Sequence, residues 1–78
     1  MNYRSSRRAR SHAEFTSRIG IVADEADESH GWLEFIDRAK LMNTAELPRL
    51  LLEAGELRNV FAAAAGTARH RQRTEFRR

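Results

Sequence analysis

Between Glu14 and Ala39 the apolar positions recur at helical spacing, with no proline to interrupt them. Phe15, Ile19, Val22, Ala26, Ser29, Leu33 and Ile36 follow at steps of 4, 3, 4, 3, 4 and 3, which puts them on one face of an α-helix. A second row, Ile21, Glu25, Glu28, Trp32, Phe35 and Ala39, keeps the same alternation beside it and sets two carboxylates between apolar ends. A helix with apolar side chains on two adjacent faces expects more than one packing partner. Ser11 followed by Glu14 has capping-box spacing, so the helix is expected to begin at Ser11. It runs to Lys40, where Arg38 and Lys40 complement the negative end of the macrodipole. Gly20 and Gly31 weaken it, each by roughly 1 kcal/mol relative to alanine, unless a neighbour approaches closely there.

Leu41-Met-Asn-Thr44 reads as a turn. Asn43 or Thr44 can cap a second helix, expected over 44–72, with Pro48 in or near its first turn. Leu50, Ala54, Leu57, Phe61, Ala64 and Ala68 again step by 4 and 3, and Leu47 and Leu51 widen the stripe. The run Ala62-Ala-Ala-Ala65 is small on every side and permits close helix–helix contact. Gly66 does not end the helix, since no breaker follows it. The expected fold is all-α: an antiparallel helical hairpin, equivalent to part of an up-down four-helix bundle. Leu33, Ile36, Leu50, Leu57 and Phe61 are expected to form its internal seam, with Trp32 and Phe35 nearer the edge.

Size changes this picture. Seventy-eight residues make at most one domain. A chain this short buries roughly 60% of its unfolded surface, which is marginal for independent stability. There is no cysteine, which excludes disulfides and thiolate metal sites and fits an intracellular, cytoplasmic setting. No apolar run approaches the roughly 20 residues needed to cross a bilayer, and no membrane partner is expected. Self-association is the staple that remains.

Charge is distributed unevenly. Residues 1–18 carry five arginines and one glutamate, and residues 69–78 carry the same. Residues 19–68 carry nine acidic and four basic side chains. An antiparallel hairpin brings the basic segments 1–10 and 73–78 to one pole and leaves the acidic middle along the shaft. Thirteen of the 14 cationic residues are arginine, whose planar fork suits phosphate. The candidate phosphate contacts are Arg4, Arg7, Arg8, Arg10, Arg69, Arg71 and Arg73, and Tyr3 is a lone stacking group. Arginine-rich codon usage and solvated ends explain the same composition without any ligand.

Asn2-Tyr-Arg4, Arg8-Ala-Arg-Ser11, Ala13-Glu-Phe15, Ile19-Gly-Ile-Val22, Glu25-Ala-Asp-Glu-Ser29, Trp32-Leu-Glu34, Leu51-Leu-Glu-Ala54, Glu56-Leu57 and Thr67-Ala-Arg69 resemble the bacterial four-helix-bundle family. This family is also described as the protein encoded by intervening sequences in 23S ribosomal RNA genes. The resemblance covers roughly residues 2–69, and its most specific part is the acidic-alanine-acidic stretch that leads to Trp32-Leu-Glu34. His30 and Gly31 stand where the family has an apolar residue and a tyrosine. The match falls on the family's C-terminal part, so an N-terminally truncated bundle is expected. The resemblance implies an up-down helical bundle that assembles into a homopentamer, with no established activity. A related member serves as the accessory protein of diversity-generating retroelements, where a basic pentameric barrel associates with reverse transcriptase and nucleic acid.

Other chemistry fares poorly. Asp27-x-x-His30 has the spacing found in carboxylate-bridged di-iron bundles, with Glu25, Glu28, Glu53 and Glu56 as further carboxylates. Such a site needs two Glu-x-x-His motifs, and here there is one, with Asp in place of Glu. Ser29 and His30 are adjacent and so do not face each other on a helix. There is no glycine-rich phosphate loop, and no cofactor or catalytic residue is expected. The sequence therefore reads as a non-enzymatic, self-associating helical accessory protein that contacts RNA or DNA through its arginine pole. Trp32, Leu33, Phe35, Ile36, Leu50, Leu57 and Phe61 are its packing and oligomer residues. The competing readings are a protein–protein assembly module and a truncated remnant without activity.

Overall fold

A computed structural model describes the backbone of residues 3–76 and the side chains of residues 7–74. The chain forms two long α-helices, α1 (Tyr3–Arg38) and α2 (Glu46–Phe76), joined by a short turn. They pack against each other as an all-α hairpin. It is a rod of 59 × 16 × 16 Å with a radius of gyration of 17.6 Å, against about 11–12 Å for a compact globule of this length.

α1 begins well before Ser11. Arginine and alanine are good helix formers, and no residue between Tyr3 and Ser11 breaks the helix. The capping-box pattern therefore sits inside a continuous helix and starts nothing. α2 likewise runs past residue 72 to Phe76.

The turn is closed at both ends. At the end of α1 the Leu41 N–H donates to the Ile36 carbonyl (3.1 Å) and the Lys40 N–H to that of Asp37 (3.2 Å). These are the two bonds of a Schellman motif. Lys40 takes the left-handed position usually held by glycine, with φ 54°. At the start of α2 the Thr44 hydroxyl accepts from the Glu46 N–H (3.2 Å), so Thr44 is the cap. Pro48 has no N–H to give to the Thr44 carbonyl, and the Leu47 N–H takes that acceptor instead at 3.3 Å. Arg49 bridges Glu46 and Glu53 at 2.9 and 3.2 Å. These exposed pairs are worth about 0.3–0.5 kcal/mol each.

The seam between the helices differs from the one expected. On α1 it follows His12, Thr16, Ile19, Ala23, Ala26, His30 and Leu33; on α2 it follows Leu47, Leu51, Ala54, Arg58, Phe61, Ala65, Ala68 and Gln72. Both rows alternate steps of 4 and 3, but α1 has turned by about one position from the Phe15–Val22–Ser29 stripe. The buried residues among those described are Thr16, Leu47, Ala65 and Ala68. Leu33, Ile36 and Phe61 are half-buried, as expected of seam residues. Leu50 and Leu57 are not in the seam, and Leu57 is 53% exposed. Two helices approach most closely where small side chains face each other, and alanine and threonine occupy those places. Leu50 and Leu57 lie one row outside it.

Candidate nucleic-acid interface

Two clefts run along opposite sides of the seam, and their linings differ in kind. One is lined by Arg8, Ser11, His12 and Phe15 from α1 and by Ala64, Thr67, Ala68 and Arg71 from α2, around about 590 Å³ of space. The other is lined by Ala23, Asp24 and Asp27 from α1 and by Arg58, Asn59, Ala62, Ala65 and Arg69 from α2. Helical spacing carries these two sides along the rod. The row of Arg8 and Phe15 continues through Val22, Ser29 and Ile36, and the row of Ala64 and Arg71 continues back through Leu57 and Leu50. The row of Asp27 continues through Glu34, and that of Ala62 and Arg69 through Gly55 and Pro48. One long side of the hairpin therefore carries larger apolar side chains with arginines at its end, and the other carries Asp27, Glu34 and Arg69 among small residues.

The arginines expected to form one pole divide between these sides. Arg8 and Arg71 line the same cleft as Phe15, which is 55% exposed. Arg69 lies across the seam, in the cleft that holds Asp24 and Asp27. Arg7, Arg10 and Arg73 are exposed near the same end. The Arg4 and Tyr3 side chains lie outside the described residues. Heptad counting from Arg8 and Arg71 would have paired them in the sequence.

Sequence reasoning missed His12. It sits on the floor of the cleft, its Nε2 3.4 Å from the Ala68 carbonyl oxygen of the facing helix. Its own carbonyl accepts the Thr16 hydroxyl at 2.8 Å, which satisfies that buried side chain locally. The arrangement offers two guanidinium groups, an exposed aromatic ring, a serine and a threonine within one open cleft. Guanidinium groups suit phosphate oxygens, and an exposed ring suits a base face.

His30 is a structural residue. Its Nδ1 lies 3.0 Å from an Arg58 guanidinium nitrogen and 3.2 Å from Glu34 Oε1. Unprotonated, that nitrogen accepts from Arg58; carrying the proton, it donates to Glu34. The other edge of the ring packs 3.5 Å from where a Cβ on Gly55 would stand. Asp27 faces the polar cleft instead. Among the described residues no three His, Asp or Glu side chains gather closely enough to hold a metal ion. Trp32 and Phe35 make an edge-to-face pair, centroids 6.2 Å apart at 89°. Both are more than half exposed.

Among the described residues no helix is long and apolar enough to cross a membrane. No family model matches this sequence, and neither the curated proteins nor the solved structures contain a match to it.

Proposed function

We propose that this chain is a non-enzymatic helical accessory protein that self-associates through its apolar side and contacts nucleic acid through its arginine-bearing end. In this reading the hairpin is part of an up-down four-helix bundle, as the resemblance to the 23S rRNA intervening-sequence family implies. The observation that carries the nucleic-acid reading is the cleft that Arg8 and Arg71 share with the exposed ring of Phe15. Cations flanking a stacking surface are how sequence-tolerant sites hold a single strand.

Fluorescence anisotropy with RNA and single-stranded DNA at two salt concentrations tests it. Binding should weaken as salt rises, with a log–log slope of roughly −0.7 per contacted phosphate. Changing Arg8 and Arg71 to Ala should flatten that slope and weaken every sequence alike. Arg69→Ala should do less, because Arg69 lines the other cleft, which also holds Asp24 and Asp27. Glu25→Gln with Glu28→Gln, on the shaft, should do least. Absence of binding at low salt overturns the nucleic-acid reading. The assembly-module reading then stands, and it rests on the exposed Trp32, Phe35, Leu50 and Leu57.

A further inference from the structure

We propose that His12 is a third member of the phosphate-binding set in the arginine cleft, and that a phosphodiester strand bound there takes up a proton on its ring. This deepens the nucleic-acid part of the proposed function and rests on it.

His12 lies between the two features that the cleft offers a strand. Arg8 stands four residues before it on α1, and Arg71 stands three residues after Ala68, its contact on α2. Both arginines are therefore about one turn further toward the open end, roughly 4.5–6 Å along the rod. Phe15 stands three residues after His12 on the same face, about 4.5 Å toward the turn. A strand with a phosphate at the arginines and a base against the Phe15 ring has to cross His12.

The ring can gain charge where it stands. Its Nε2 lies 3.4 Å from the Ala68 carbonyl oxygen. A carbonyl only accepts, so Nε2 carries the proton of the neutral ring, and a second proton goes to Nδ1. The contact with α2 is the same in both states, so charging the ring does not break it. Histidine is the side chain whose charge changes between about pH 5 and 8, which the arginines on either side cannot do.

The surroundings make that charge useful to an anion. The charged groups lining the cleft with His12 are Arg8 from α1 and Arg71 from α2, and among the described residues no carboxylate lines it. Arg10 and Glu14 on α1, and Arg69 and His70 on α2, are exposed outside it. A bound strand supplies the negative charge that this set lacks. A phosphate close to the ring favours its charged form, and by reciprocity the charged ring favours the phosphate.

Oligouridylate without a terminal phosphate is the probe, because neither its bases nor its phosphodiesters titrate in this range. At low salt, fluorescence anisotropy should show binding roughly 3–10-fold tighter at pH 5.5 than at pH 7.5. Calorimetry of the unmodified chain in two buffers of different ionisation enthalpy should show net proton uptake on binding. In His12→Gln, whose amide still reaches the Ala68 carbonyl as a donor, the ratio between the two pH values should fall below about twofold. His70→Gln, outside the cleft, should keep the ratio. Equal binding at both pH values without proton uptake overturns the role of His12 and leaves the nucleic-acid reading intact. A ratio that survives in His12→Gln, or is lost in His70→Gln, does the same. No binding at either pH overturns both.

Discussion

Along the seam, contact between the helices mixes small residues, Thr16, Ala23, Ala26, Ala65 and Ala68, with Ile19, Leu33, Leu47, Leu51 and Phe61; outside it, Phe15, Trp32, Phe35, Leu50 and Leu57 are exposed. A self-sufficient domain puts its largest apolar groups inside, because burying a leucine or phenylalanine yields about 1.5–3 kcal/mol and burying an alanine far less. Here the small residues bring the helices close together and fix the hairpin's shape. Of the large apolar residues, Ile19, Leu33, Leu47, Leu51 and Phe61 are buried or half-buried in the seam, and Phe15, Trp32, Phe35, Leu50 and Leu57 stay exposed outside it. Part of the burial energy is left for assembly.

The comparison breaks most sharply at the flank. Val22→Glu together with Leu57→Glu leaves every buried seam residue in place. Self-association should fall by at least about 100-fold, or roughly 2.7 kcal/mol, as read by sedimentation equilibrium. The reverse result, unchanged association, would mean that the exposed rows are not the contact.

A second pair of variants tests the seam. Ala65→Leu forces three heavy atoms into a site that is 1% exposed and should cost about 1–3 kcal/mol. Ala63→Leu, two residues away on the exposed side, should stay within about 0.5 kcal/mol of the parent. Thermal melts by circular dichroism separate the two. Equal midpoints would show that the alanine run is not packed as described.

The smallest effect concerns the turn. Lys40 pays for its left-handed backbone, a conformation costing a non-glycine residue about 1 kcal/mol. Lys40→Gly should therefore raise the melting midpoint by a few degrees, and a drop would place the helix end elsewhere.

Two helices, their antiparallel pairing, the Thr44 cap and the turn after Lys40 were legible from spacing and capping chemistry. The seam was not. Hydrophobic periodicity finds the row with the largest side chains, and in α1 that row ran through Phe15 and Val22. Adjacent heptad rows are about one residue apart, so a preference for small residues at close approach moved the contact to Thr16 and Ala23. The same offset put Leu50 and Leu57 outside and separated Arg69 from Arg8 and Arg71. The start at Ser11 failed for a different reason. A capping box marks a helix start only where the chain before it is not helical, and Arg-Ala-rich residues upstream carried the helix through.

Small, repetitive seams have a weakness: alanine opposite alanine looks much the same after one helix slides past the other by a heptad, about 10 Å. In this hairpin His30 acts as a mark against such slippage. Its ring packs beside Gly55 and places its Nδ1 by Arg58. Sliding α2 by seven residues toward its start or its end would bring Ala65 or Leu51 to the Arg58 position, and the His30 Nδ1 would lose that partner. The alignment of the two helices is thus read out at one polar contact.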